Sequence, residues 1–187
     1  DPELVTVKAV RLLEEADLIV VPVMDVSEQG RAEATVRANV RHDRIERLVF
    51  ALDDRGGVTS ERAQAWEDAA DMVADALRTK GSVAFATIGD PNIYSTFTYL
   101  ADAVRERLPD VEIATVPGIT AMQDLAARSG TVLCEGTESL ALLPLTAGLP
   151  AFDEALTHFD TVVAYKGGRQ MERLREVLER HGRAADA

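Results

Sequence analysis

Apolar and polar residues follow one another along the chain in two rhythms. From Thr6 to Ala16, Val7, Val10, Leu12 and Leu13 recur between Lys8, Arg11, Glu14 and Glu15 at helical spacing, with Thr6 placed as an N-cap. Leu18 to Val23 is instead a run of branched apolar residues without helical period, which predicts a strand buried on both faces. A polar, weakly helical stretch from Ser27 to Arg44 leads to a candidate strand at Ile45 to Ala51 and a turn or loop around Asp53-Asp54-Arg55-Gly56-Gly57. Ser60 then caps a long helical pattern through Ala65, Trp66, Ala69, Met72, Val73, Ala76 and Leu77, ended by Gly81. Val83 to Ile88 predicts a third strand that runs straight into Gly89-Asp90-Pro91, and Ser95 to Leu108 a helix stopped by Pro109. Alternation over Val111 to Val116 predicts a fourth strand, at an edge or half-buried. Beyond it the pattern predicts a helix at Ala121–Arg128, strands at Leu140–Leu145 and Thr161–Tyr165, and helices at Pro150–His158 and Met171–His181.

Strands alternating with helices in this way imply an α/β fold with a largely parallel sheet built from right-handed crossovers. A change of character near Pro117 marks the expected boundary between domains 1–116 and 117–187. With 187 residues, 47% of them hydrophobic, the chain can bury either one large core or two small ones.

Charge and cysteine usage narrow the function classes. The formal net charge of −12, from 32 acidic against 20 basic residues, leaves no basic footprint for nucleic acid or anionic lipid. Cys134 stands alone and His42, His158 and His181 are scattered, so no metal-ligand spacing is present and no metal is expected. This usage fits a reducing cytoplasm. No apolar stretch approaches the roughly 20 residues of a membrane span, and no targeting signal is visible. A chain that opens on Asp1-Pro2-Glu3-Leu4 without an initiator Met and ends on Arg183-Ala-Ala-Asp-Ala187 reads as a piece of a longer protein.

In parallel α/β sheets, ligands gather beyond the carboxyl ends of the strands. Two loops there are unusual. Ile88-Gly89-Asp90-Pro91-Asn92-Ile93-Tyr94-Ser95-Thr96 combines a glycine for close backbone approach, a proline to stiffen the turn and hydroxyls at a helix start. Val116-Pro117-Gly118-Ile119-Thr120-Ala121 repeats the device, so that together the loops could cradle a polar small ligand. Spacing alone favours the plainer reading, in which both loops only turn the chain and Ser95 and Thr120 are helix caps. Neither loop has the phosphate-binding G-x-x-x-x-G-K-[ST] or dinucleotide G-x-G-x-x-G form. Ser129 and Ser139 lack an esterase elbow, and Cys134 has no obvious histidine partner.

Taken together, these residues resemble the tetrapyrrole methylase family. Asp1-Pro2-Glu3-Leu4-Val5-Thr6-Val7-Lys8-Ala9 is similar to the segment that follows the family's G-x-G-P-G loop. Gly89-Asp90-Pro91 with Tyr94-Ser95-Thr96-Phe97 looks like the form carried by members that methylate carbon 20 of precorrin-2, and Val116 to Ala121 looks like the second cofactor loop. Leu140 to Leu149 and Asp160 to Arg169 extend the likeness over almost the whole chain. The resemblance implies a two-domain α/β fold with a mixed, here incomplete, sheet in the C-terminal domain. It also implies a homodimer that binds S-adenosylmethionine and methylates a tetrapyrrole in cobalamin biosynthesis. Carried over by residue, the cofactor contacts would be Ile88, Gly89, Asp90, Tyr94, Ser95, Thr96, Thr120 and Ala121, with Tyr165 and Lys166 as weaker transfers.

The substrate's many carboxylates conflict with a net charge of −12 unless basic residues face it. Arg31, Lys166 and Arg169 are the candidates, and Tyr94 is a candidate wall; solvated surface charge is an equally good reading of each cation. Phe97, Phe152 and Phe159 are candidate dimer anchors, with core packing the plainer role. Transfer from a sulfonium needs no dedicated nucleophile, and no residue is singled out as a base. The pattern leaves open another corrinoid substrate, such as a cobalt-containing factor, a modified histidine of a translation factor, or a non-catalytic binding or dimer-forming module.

Overall fold

The computed structural model describes residues 1–41, 43–50, 60–168 and 170–186. The turn at Asp53 to Gly57, His42 and Arg169 therefore lie outside the described residues. Two compact units divide the chain, Asp1–Ala121 and Met122–Ala187.

The first unit is organised by one strand. β1 (Leu18–Val23) lies between β2 (Ile45–Val49) and β3 (Val83–Phe85), parallel to both. Leu18, Ile19, Val20 and Val21 are each 0% exposed, as expected of a central parallel strand covered on both faces. Successive side chains point to opposite faces. Leu18 and Val20 join Leu48, Phe50, Trp66, Ala70, Val73, Leu100 and Val104 in one core. Ile19 and Val21 join Val36 and Val40, with Val10 and Leu13 packed alongside, in the other. The first core is roofed by α3 (Ser60–Lys80) and α4 (Phe97–Arg107), the second by α1 (Val7–Glu15) and α2 (Arg31–Asn39). The Thr6 hydroxyl accepts the Ala9 N–H at 3.2 Å and is the N-cap that the sequence predicts for α1.

Two expectations need correction. β3 ends at Phe85 and not at Ile88: one further hydrogen bond runs from Ala86 N–H to the Val20 carbonyl, and the chain then turns away toward Gly89. The segment Val111–Val116 forms no strand. Its alternation is real, since Val111 and Ile113 are half-buried between exposed Glu112 and Ala114, and Val111 packs against the first core. Alternation therefore recorded one-sided burial, whereas a strand also needs a ladder partner.

The second unit starts with α5 (Ala121–Ser129), whose first residue closes the first unit. β4 (Leu140–Pro144) and β5 (Thr161–Tyr165) pair in parallel, Leu140 opposite Thr161 and Pro144 opposite Tyr165. The two described strands being parallel, the mixed character expected of this sheet is not expressed among the described residues. α6 (Leu149–His158) and α7 (Met171–Arg180) supply Phe152, Leu156, Leu174 and Val177 to a core that also holds Leu145. Phe152, a candidate dimer anchor, is thus a core residue. Phe97 stacks on Phe85 with ring centroids 5.8 Å apart, and Phe159 is 40% exposed.

Candidate active site

Because β1 and β3 are parallel, the loops that leave their carboxyl ends emerge on the same edge of the first sheet. After β1 the loop runs from Met24 to Gly30 and delivers Arg31, exposed, as the first residue of α2. Asp25 shapes this loop by accepting the Ser27 N–H and hydroxyl, both at 2.7 Å, and these bonds hold its carboxyl below the usual carboxylate range. Arg47 of β2 donates to the Val26 carbonyl at 2.6 Å and is itself held by Glu33 of α2 at 2.6 and 3.1 Å. Glu33 is 1% exposed, and its hydrogen bonds from Arg47 depress its pKa despite the opposing cost of burial. Sequence reasoning missed this acid, since a charged residue in a polar stretch gives no sign of burial.

After β3 the chain reaches Gly89, which has φ +78°, a left-handed conformation that a glycine adopts at little cost. Asp90 follows, its Oδ1 accepting the Asn92 N–H at 2.8 Å and its Oδ2 accepting the Gly118 N–H at 3.0 Å. Gly118 belongs to the second unusual loop, and it lies so close to the first that a Cβ there would overlap the Gly89 carbonyl oxygen. The Asn92 side-chain amide reaches the Thr115 hydroxyl at 3.4 Å. The two loops are thus joined. At Gly89, by contrast, a Cβ would have room, with the Ile119 carbonyl at 3.8 Å and the Thr120 Cα at 3.9 Å.

The candidate contacts fall into two groups, one in each unit. Ile88, Gly89, Asp90, Tyr94, Ser95, Thr96, Thr120 and Ala121 all lie in the first unit, where a Cβ placed on Gly89 would stand 3.9 Å from the Thr120 Cα. Ile88 and Tyr94 are exposed (56% and 43%) and Thr120 is buried; Ala121 opens α5 and is exposed. Ser95 serves α4 locally, accepting the Phe97 N–H at 3.2 Å and lying 3.4 Å from the Thr87 hydroxyl. Thr96 is the nominal N-cap of α4 but makes no capping bond. Tyr165 and Lys166 stand at the carboxyl end of β5 in the second unit. Gly118, Asn92 and Thr115 were not singled out as site residues; the Pro-Gly pair was the available signal, but which backbone it approaches is a tertiary fact.

Among the described residues, Tyr94 (φ 50°) and Lys166 (φ 63°) are the two non-glycine residues in the left-handed region. Both stand in loops that follow the carboxyl end of a strand, β3 and β5 respectively. The groups suited to a small, partly apolar ligand are the accessible Gly89 backbone and the exposed Ile88, Tyr94 and Ile119 side chains. No cluster of three or more metal-ligating side chains occurs among the described residues, and no helix there is long and apolar enough to cross a membrane.

Comparison with known proteins gives this arrangement a family. Residues 1–187 match the tetrapyrrole (corrin/porphyrin) methylases. The chain is 34% identical over 181 residues to a Methanocaldococcus jannaschii protein named "Probable cobalt-precorrin-2 C(20)-methyltransferase", covering 96% of this chain and 74% of that one. It is 29% identical over 193 residues to a precorrin-2 C(20)-methyltransferase of Sinorhizobium, covering 100% and 77%. Among solved structures, cobalt precorrin-4 methyltransferase CbiF shares the fold with a TM-score of 0.66 at 20% identity, over 97% of this chain and 71% of that chain. Uroporphyrin III C-methyltransferase from Thermus thermophilus does so with a TM-score of 0.62 at 23% identity, over 98% and 73%. With a family match over its whole length and loops that meet at the carboxyl edge of a parallel sheet, the chain belongs to the tetrapyrrole methylase family.

Proposed function

We propose that the chain is a C-methyltransferase of cobalamin biosynthesis that transfers a methyl group from S-adenosylmethionine to carbon 20 of precorrin-2. The observation that carries this reading is the junction of the Gly-Asp-Pro and Pro-Gly-Ile-Thr loops beside an accessible Gly89 in a member of this family. The residues fit the donor: Gly89 offers backbone without a side chain, the space beside it is bounded by the Ile119 and Thr120 backbone, and Ile88, Tyr94 and Ile119 offer apolar surface. S-adenosylmethionine supplies a methyl on a cationic sulfur whose leaving group needs no protonation. The work left to the protein is to hold donor and acceptor in line at about 3–3.5 Å and to exclude water.

Gly89 and Thr120 set the donor's place in this reading, while Tyr94, fixed in a left-handed backbone, presents its ring as part of the wall that selects the macrocycle edge. Arg31 and Lys166, both exposed, are the described cations proposed to meet substrate carboxylates. A cytoplasmic homodimer is part of the same proposal, supported by the family and by the single Cys134. A cobalt-containing substrate is the second reading, favoured by the name of the 34% identical relative.

Incubation of the full-length protein with carbon-13-methyl S-adenosylmethionine and either precorrin-2 or cobalt-precorrin-2, with the label located by NMR, tests the proposal. Label at carbon 20 is expected. Label at another carbon, or none despite demonstrated donor binding, sinks the assignment, and the preferred acceptor separates the two readings.

A further inference from the structure

Asp90 has both carboxylate oxygens on backbone donors, Oδ1 on the Asn92 N–H and Oδ2 on the Gly118 N–H. The first bond shapes its own loop, and the second crosses 28 residues to the other loop. Gly118 donates its N–H from a position that leaves no space for a Cβ against the Gly89 carbonyl oxygen, and Asn92 adds a side-chain bond to Thr115. An ionised carboxylate only accepts hydrogen bonds, and bonds to a charged acceptor are roughly twice as strong as neutral ones. The same peptide that Gly118 crowds, Gly89–Asp90, is the one whose backbone is offered to the ligand.

We infer that Asp90 is a positioning residue: its carboxylate locks the two loops into one body and thereby fixes the Gly89 backbone, and the cofactor depends on that lock and not on contact with Asp90. The cofactor part of this inference rests on the reading under Proposed function; the lock does not. Asp90→Asn keeps the size of the side chain but turns one acceptor into a donor that faces a backbone N–H. Gly118→Ala attacks the same junction by steric overlap and removes no ligand-facing group.

Full-length protein and both variants are compared by amide hydrogen exchange without ligand, and by S-adenosylhomocysteine affinity, kcat and KM. In Asp90→Asn, exchange at the Gly118 and Asn92 amides should rise on the order of tenfold or more, as the loss of charged hydrogen bonds implies, while Leu18 to Val21 stay unchanged. Affinity should fall on the order of tenfold in each single variant, with kcat falling too, because a 1 Å misplacement costs about a hundredfold. The double variant should be no worse than the poorer single one, since both break one junction. Unchanged exchange at Gly118, or losses that add in the double variant, would overturn the inference. Should Gly118→Ala fail to fold, Asp90→Glu decides: recovery of Gly118 protection and affinity together supports the lock, and recovery of one without the other defeats it. A wild-type protein that binds no S-adenosylhomocysteine overturns the functional reading, while the exchange arm still judges the lock.

Discussion

Glu33, at 1% exposure, is the most deeply buried charge among the described residues, and its environment compensates for that burial. Arg47 and Arg37 bond to its oxygens at 2.6–3.1 Å, and Arg47 extends the link to the Val26 carbonyl. Glu33→Gln should destabilise the protein by roughly 1.5–3 kcal/mol, the range for hydrogen bonds to charged groups, measured by urea unfolding followed through Trp66 fluorescence. The sign with pH follows from the lowered folded pKa. The stabilisation is fully present above the unfolded value of about 4.3 and is lost as pH falls through the lower folded one. The gap between wild type and variant should therefore close in acid and hold constant from pH 6 to 8; a gap that widened in acid would refute the assignment. At Gly89 the cost of a side chain comes from φ +78° and not from a clash. Gly89→Ala should destabilise by about 1–2 kcal/mol. Gly89→Val should also abolish stabilisation by S-adenosylhomocysteine, which in the wild type at 100 times its dissociation constant amounts to about 2.7 kcal/mol. An undiminished thermal shift in Gly89→Val would count against backbone approach at this glycine.

At the scale of elements, the two units repeat one device at the amino ends of their parallel strands. Just before β1, Asp17 accepts the Ser82 N–H and hydroxyl at 3.0 and 2.8 Å, and its own N–H donates to the Ser82 hydroxyl at 3.0 Å. Before β5, Asp160 accepts the Ser139 N–H and hydroxyl at 2.7 Å each and returns its N–H to that hydroxyl at 3.2 Å. The Ser139 bonds, backbone first, hold the Asp160 carboxyl below the ordinary range. Each pair pins register where a parallel ladder begins, and a one-residue slip would turn buried β1 side chains to the opposite face. Ser82→Ala leaves one of the three bonds and should cost about 1 kcal/mol, read from the urea midpoint at unchanged m. An unmoved midpoint would show that the ladder alone sets the register. Helices and β1 were legible from periodicity because period records which side chains are buried. The strand expected at Val111–Val116 was not, since the same alternation arises in an extended segment that packs Val111 without a ladder.

At the scale of the whole molecule, charge makes a prediction that depends on the proposed substrate. A net charge of −12 repels a carboxylate-rich tetrapyrrole over distances that salt screens, about 10 Å at 0.1 M. With the acidic surface dominant, kcat/KM should rise between 20 and 200 mM salt through faster encounter. A fall over that range would mean that Arg31, Lys166 and their neighbours outweigh the global charge. Sedimentation at micromolar concentration should show twice the 20.3 kDa chain mass, and a 20.3 kDa species alone would rule out the homodimer.

The sequence by itself determined the α/β alternation, the doubly buried β1, the N-cap of α1 and the two Gly-Pro loops, because each is written in neighbouring residues or in a short period. It also carried the family, since the motifs stand in order along the chain. Tertiary structure decided the remaining features, all of which depend on strand order and packing. Parallel pairing of neighbouring β1 and β3 brings the loops that leave them to the same edge. Folding brings Asp90 to Gly118 across 28 residues, closes the space beside Gly118, and buries Glu33 between arginines. A residue's type reports how it prefers to be solvated, but which backbone it meets is set only when strands distant in sequence are placed side by side.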